Sequence, residues 1–144
     1  MTIRLSRARN PDAVRPWQHV LNPLSGYLLL AQELFRGAGP SRAWNFGPAA
    51  EDERTVGWIV QRLAELWQGE LAWEIDEGEN PAEAAHLALD STLAGRELGW
   101  RPAWDLEAAL ARLVDWHRAQ LRGERMRAVT IGQIERFVAE IPAA

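Results

Sequence analysis

The chain contains no cysteine. That excludes disulfides, thiolate nucleophiles and cysteine-ligated zinc, and it fits the reducing cytoplasmic setting we expect for the protein. Lysine is also absent, so all 16 cationic side chains are arginines. The chain therefore has no Tyr-x-x-x-Lys pair, no phosphate-loop lysine and no Schiff-base lysine. The longest apolar run, residues 27–31, is far too short to cross a bilayer. A net charge of −4 provides no field to draw nucleic acid or an anionic membrane, so neither is expected as a partner. No Gly-x-Gly-x-x-Gly follows a strand and opens a helix; the nearest approach, Gly37-Ala38-Gly39, follows a helix and runs into Pro40. This chain has no dinucleotide-binding half, and we expect it to bind no cofactor alone.

What is present suits one globular domain. A 144-residue chain buries roughly two-thirds of its unfolded surface, and a 47% hydrophobic share with 25% charge is ordinary for a folded protein. Eight tryptophans stand against three phenylalanines and one tyrosine, which places indoles at interfaces or pocket walls where the N–H finds a partner. Residues 1–15 are rich in arginine, but Pro11 interrupts any sustained amphipathic helix there, so they do not read as a targeting signal.

The pattern predicts an α-rich α/β fold: helices with several short strands. An extended stretch over 14–20 leads to a helix capped by Asn22 with Pro23 at its first position. Leu24, Tyr27, Leu28, Ala31 and Phe35 fall on one face of that helix, and Gly37 closes it. Residues 43–46 are a strand candidate stopped by Gly47-Pro48, and a second helix over 55–67 is followed by Gly69. Residues 71–75 and 86–89 are further strand candidates, separated by an acidic loop over 76–81. Asp90 or Ser91 caps a brief helix ending at Leu98-Gly99. Asp105 caps the strongest helix, with Leu106, Leu110, Leu113, Trp116 and His117 along one side and Gly123 as its end. A last helix covers 131–138.

Alternation in an extended 14–20 stretch sets Arg15, Trp17 and His19 on one face. A guanidinium there suits phosphate oxygens, or equally a carboxylate within the sheet. Asn45, between two aromatics, offers its amide to a ligand or to the Gly47-Pro48 turn. Asp76, Glu77, Glu79 and Glu83 lie near His86, but no histidine spacing matches a ligand signature, so they read as a solvated loop and no metal site is predicted. His117 reads as a packed or surface residue, and the three histidines suggest no triad.

The strings Ala8-Arg9-Asn10-Pro11-Asp12-Ala13-Val14-Arg15-Pro16-Trp17-Gln18-His19-Val20-Leu21 and Pro23-Leu24-Ser25-Gly26-Tyr27-Leu28-Leu29-Leu30-Ala31 closely resemble CDP-glucose 4,6-dehydratases. Trp44-Asn45-Phe46-Gly47-Pro48, Glu83-Ala84, Leu87-x-Leu89-Asp90 and Leu98-Gly99-Trp100-x-Pro102 recur in the expected order. The family belongs to the extended short-chain dehydrogenases/reductases, in which a Rossmann half holds NAD and a Tyr-x-x-x-Lys pair, and a smaller C-terminal portion binds the nucleotide-sugar. The resemblance implies oxidation of the sugar at C4, loss of water across C5 and C6, and return of the hydride to C6. Only the later portion is matched here, so the NAD domain and the catalytic residues are expected outside this chain.

Carried over by position, Arg15 resembles the contact to the CDP diphosphate and Asn45 a pocket residue near the nucleotide. Glu83 and His86 fall where the family approaches the ligand from the far side, and His19 completes the substrate-binding set. Relatives often have tyrosine at His86 and lysine at Ala88 or Leu93, so that wall differs here. Tyr27 has no lysine partner and does not resemble the catalytic tyrosine. The resemblance implies the nucleotide-sugar-binding part of a dehydratase, from a truncated frame or a split enzyme. Its partners would be CDP-glucose or a related nucleotide-sugar and an NAD-domain chain or further copies of itself. The alternatives are a non-catalytic nucleotide-sugar module and an α-rich interaction domain whose apolar surface engages another protein.

Overall fold

The computed structural model describes residues 3–4, 8–37, 42–68, 71–76, 78 and 84–141. Strand pairing in it is sparse. β1 (Ile3–Arg4) runs parallel to β4 (Leu71–Ala72), and a bridge from Ala8 to Ile75 continues that alignment. β2 (Val14–Pro16) runs antiparallel to β3 (Glu53–Thr55), with Arg15 opposite Arg54, while His86 joins Val14 from the other side. Helices supply the rest: α1 (Leu21–Phe35), α2 (Val56–Trp67), α3 (Thr92–Leu98), α4 (Leu106–Leu121) and α5 (Met126–Glu140). The architecture is the α-rich α/β arrangement expected.

β2 is shorter than the predicted extended stretch. The Trp17 N–H donates to the Arg15 carbonyl at 3.1 Å, closing a three-residue turn around Pro16 that ends the alternation. α1 then begins at Leu21 without a side-chain cap. Asn22, expected as the cap, is inside the helix and completely buried. Its Nδ2 donates to the Trp104 carbonyl at 2.8 Å, and its Oδ1 accepts from the N–H groups of Ala103 and Trp104 at 3.1 and 3.2 Å. A distant backbone with three groups to satisfy has displaced the local capping role.

Two small apolar clusters hold the helices. Phe46, Ala94 and Trp100 form one, with Leu29 and Leu30 of α1 against it. Gly26 is needed there, because a Cβ would lie 2.3 Å from the Phe46 ring. Ile59, Leu106 and Leu110 form the other, joining α2 to α4 with Trp17 and Trp58 at its edge. The α1 face predicted to be apolar, with Leu24, Tyr27, Leu28, Ala31 and Phe35, points to solvent instead.

Caps follow the sequence closely elsewhere. Thr55 Oγ1 accepts the Trp58 N–H at 3.1 Å, and Asp105 Oδ1 accepts the Ala108 N–H at 2.8 Å. Gly37 follows α1 with φ of 72° and Gly99 follows α3 with φ of 65°, as expected. α4 ends in a Schellman motif: the Gly123 N–H donates to Gln120, the Glu124 N–H donates to Ala119, and Gly123 takes φ of 73°. α2 ends through Gln68 in the left-handed region at φ 55°; the expected stop, Gly69, lies outside the described residues.

Two strand candidates do not become strands. Residues 43–46 pair with no ladder among the described residues; at the end of the segment side chains take the backbone groups instead, with Gln18 Nε2 donating to the Phe46 carbonyl at 2.7 Å and Ser91 Oγ accepting the N–H of the following Gly47 at 2.6 Å. Of residues 86–89 only His86 bridges, and of residues 71–75 the ladder covers Leu71–Ala72 plus the Ile75 bridge. α4 is rotated from the expected face, burying Ala109, Val114 and Ala119 with Leu106 and Leu110 while Leu113 and His117 are exposed. α5 starts well before residue 131. It is held to α4 by Trp116 Nε1 on Thr130 Oγ1 at 3.0 Å, ahead of the predicted start, and at mid-helix by Gln133 Nε2 on the Arg112 carbonyl at 2.8 Å.

Candidate functional site

The β2–β3 ladder decides where the polar side chains go. Residues directly opposite share a face, so Arg15 and Arg54 lie together on one side, and Val14, Pro16, Glu53, Thr55 and His86 on the other. Like charges directly opposite are unfavourable in a ladder, and each arginine has its own anchor. Arg15 is half-buried, and its Nη1 donates to the carbonyls of Val14 and Ala84, both at 2.8 Å. The exposed Arg54 sets its guanidinium 5.3 Å from the Trp58 ring centroid, a cation–π distance. The result is a ladder position where two permanent positive charges share one face.

The other sequence-predicted residues are dispersed. On the opposite face, His86 Nε2 lies 3.5 Å from Glu53 Oε2. Asn45 is exposed and donates from Nδ2 to the Asp90 carbonyl at 3.2 Å, while Asp90 Oδ1 accepts the Thr92 N–H at 2.9 Å. Hydrogen bonds from the Thr92 side chain and backbone hold the Asp90 carboxyl below its usual range. Glu83 lies outside the described residues. His19 has turned away from the Arg15 face: its Nδ1 accepts the Leu21 N–H at 3.2 Å, and its ring meets Trp104 edge-on at 4.8 Å between centroids. Burial pushes its pKa below 6.5, and a neutral ring with the proton on Nε2 is what the Leu21 bond requires. The predicted row of Arg15, Trp17 and His19 is therefore broken. Trp17 Nε1 donates to the Arg54 carbonyl at 2.9 Å, tying the Trp to the neighbouring strand.

An open cleft of about 810 Å³ runs beside this ladder, lined by Gly47, Pro48, Glu53, Asp90, Ser91 and Trp100 among others. Glu53 and Asp90, the partners of His86 and Asn45, line it; Arg15 does not. Among the described residues no three histidine or acidic side chains gather as metal ligands. Arg54 and Glu53 escape sequence reading because β3 has no apolar alternation; the usable signal is their place just before the Thr55 cap.

No family model matches the chain. Over 119 residues, 82% of its length, it is 50% identical to CDP-glucose 4,6-dehydratase of Salmonella typhimurium (strain LT2) and covers 33% of that protein, its C-terminal part. In structure it resembles dTDP-glucose 4,6-dehydratase from Bacillus anthracis in complex with NAD. The TM-score is 0.62 at 18% identity, over 80% of this chain and 34% of that one. It also resembles RMD from Pseudomonas aeruginosa complexed with NADPH, with a TM-score of 0.60 at 17% identity, over 79% of this chain and 35% of that one. These likenesses show a fold shared with a part, about a third, of each of those chains. The chain spans about a third of the length of the curated relative it matches. In sequence this chain is similar to the C-terminal part of a CDP-glucose 4,6-dehydratase, and in fold to about a third of each of two dinucleotide-complexed enzymes.

Proposed function

We propose that the chain supplies the nucleotide-sugar side of a CDP-glucose 4,6-dehydratase site, with Arg15 on the diphosphate. The observation that carries this reading is the 50% identity to such an enzyme over most of the chain. The ladder supports it chemically: Arg15 and Arg54 stand directly opposite on one face, and the planar fork of a guanidinium suits the oxygens of a diphosphate. Asn45 would stand near the nucleotide, and Glu83 and His86 would approach from the far side. His19, with one ring nitrogen committed to Leu21, is assigned a positioning role at the exit of β2.

The residues of this chain do not fit NAD. It has no glycine-rich turn between a strand and a helix, and no lysine to stand beside a catalytic tyrosine. The redox chemistry of the family therefore belongs to polypeptide outside this sequence, and the chain alone is expected to be inactive.

Calorimetric titration of CDP-glucose into the chain tests the reading. Wild type is expected to bind weakly, and Arg15→Ala to weaken binding at least tenfold, about 1.4 kcal/mol, within the range of a charge-assisted hydrogen bond. Equal affinity in the two proteins would refute the role of Arg15. No binding to wild type up to millimolar ligand would refute the binding role of the isolated portion.

A further inference from the structure

The hairpin of α4 and α5 encloses a groove of about 300 Å³, with Arg112, Asp115 and Arg122 on its α4 wall and Gly132, Gln133 and Arg136 on its α5 wall. None of these residues lines the cleft beside the β2–β3 ladder. Gln133 Nε2 on the Arg112 carbonyl at 2.8 Å fixes the two helices against each other here, and Arg136 follows Gln133 by three positions on the same helix face. Both Arg112 and Arg136 are short of acceptors. Arg112 Nε is buried and makes no hydrogen bond, and its Nη1 lies 3.8 Å from Asp115 Oδ2, beyond hydrogen-bond length. Arg136 is exposed, and its side chain forms no hydrogen bond or ion pair among the described residues. Arg122, nearer the turn, is by contrast held by Glu124 at 2.7 Å.

A guanidinium stays charged at any relevant pH and only donates, while buried donors in folded proteins are nearly always paired. The idle Arg112 Nε therefore calls for an acceptor from outside the chain. Arg112 is also held in place to meet one. Its Cζ lies 5.7 Å from the Trp104 ring centroid, and Trp104 Nε1 is itself anchored on Glu140 Oε2 at 2.6 Å. The groove floor is open at Gly132. Glycine is unfavourable inside a helix, and a Cβ at this position would meet nothing within 4 Å, so packing within the chain does not require it. Two permanent charges with planar donor forks, facing an open floor, match the several oxygens of a doubly charged oxyanion. We propose that the α4–α5 groove binds a phosphoryl group, with Arg112 and Arg136 donating to its oxygens, as inorganic phosphate or as a phosphate monoester whose organic part lies over Gly132.

The buried Nε–H supplies a local signal for the test. In the full chain with isotope-labelled arginine, the Arg112 Nε–H resonance is assigned by its loss in Arg112→Gln and followed as inorganic phosphate is added, with sodium chloride at equal ionic strength as the control. Saturable movement with phosphate, absent with chloride, is expected. Arg136→Gln removes an exposed donor, and Gly132→Leu fills the floor with a helix-favouring residue, so both variants should fold. Each is expected to raise the phosphate Kd at least tenfold. The same movement with chloride, or a wild-type Kd in either variant, would overturn the proposal. Phenyl phosphate separates the two sources: binding tighter than that of inorganic phosphate assigns the groove to an ester, and equal or weaker binding assigns it to free phosphate. No movement with either probe would also overturn it. Because the signal belongs to Arg112, phosphate held at Arg15 does not register, and this proposal stands or falls apart from the functional reading above.

Discussion

Asn22→Ala is predicted to be among the most damaging single substitutions in the chain. The side chain is fully buried and makes three hydrogen bonds to the backbone of the turn before α4. Alanine leaves the Trp104 N–H and carbonyl without partners in a buried setting, at about 1–3 kcal/mol for each such group. The Ala103 N–H is half-buried and recovers part of its loss from water. The volume removed is small, so the unsatisfied groups dominate over the cavity. Together these give about 3–5 kcal/mol, a large fraction of the roughly 5–15 kcal/mol of a typical domain. Urea unfolding followed by tryptophan fluorescence should show the midpoint falling by about 2 M, given slopes of about 1–3 kcal/mol per molar for small proteins. A loss below about 1 kcal/mol would refute the reasoning. Asn22→Asp sharpens the test. The aspartate keeps the acceptor for the two N–H groups but sets an anion against the Trp104 carbonyl, so the loss of stability relative to wild type should be smaller at pH 5 than at pH 7. The reverse order would show that the Nδ2 donor does not matter.

Three further outcomes follow from the geometry. Because burial lowers the His19 pKa below 6.5, its neutral form stabilises the fold above that pH, and stability should decline as pH falls below 6.5 toward the folded-state value; His19→Gln should flatten that part of the profile in pH-dependent urea unfolding, and an unchanged slope would count against it. Gly26→Ala should cost about 1–3 kcal/mol in thermal or urea unfolding, since its Cβ meets the Phe46 ring at 2.3 Å, and Phe46→Leu in the same chain should recover part of the loss; additive losses would argue against that clash. Asp105→Ala should lower stability by about 1 kcal/mol through loss of the α4 cap, read as a shift of the urea midpoint without a change of slope.

Local chemistry was legible wherever a residue acts on its own neighbours. Asp105 caps as expected, and Gly37, Gly99 and Gly123 end helices where positive φ is needed; Thr55, read as the first residue of the second helix, proves to be its cap. The ends of β2 and α1 were less legible. Proline at residue 16 permits either continued strand or a three-residue turn, and Asn22 had a choice between a local cap and a distant backbone. The candidate site shows the same limit. Arg15 was identifiable by its motif, but its pairing with Arg54 depends on a ladder between segments nearly forty positions apart in the chain. His19 read as a neighbour of Arg15 and instead packs on Trp104. Alternation predicts a shared face only while the strand lasts.

The sequence alone determined the α-rich composition, most helix ends, the want of a dinucleotide loop and the likeness to a dehydratase's C-terminal part, because these rest on residue type and short spacing. Tertiary structure decided which side of each helix is covered. Periodicity marked one apolar face on α1, and the fold buries the other, against Phe46 and Trp100, since hydrophobic burial is non-directional and the available partner, not the helix itself, selects the face.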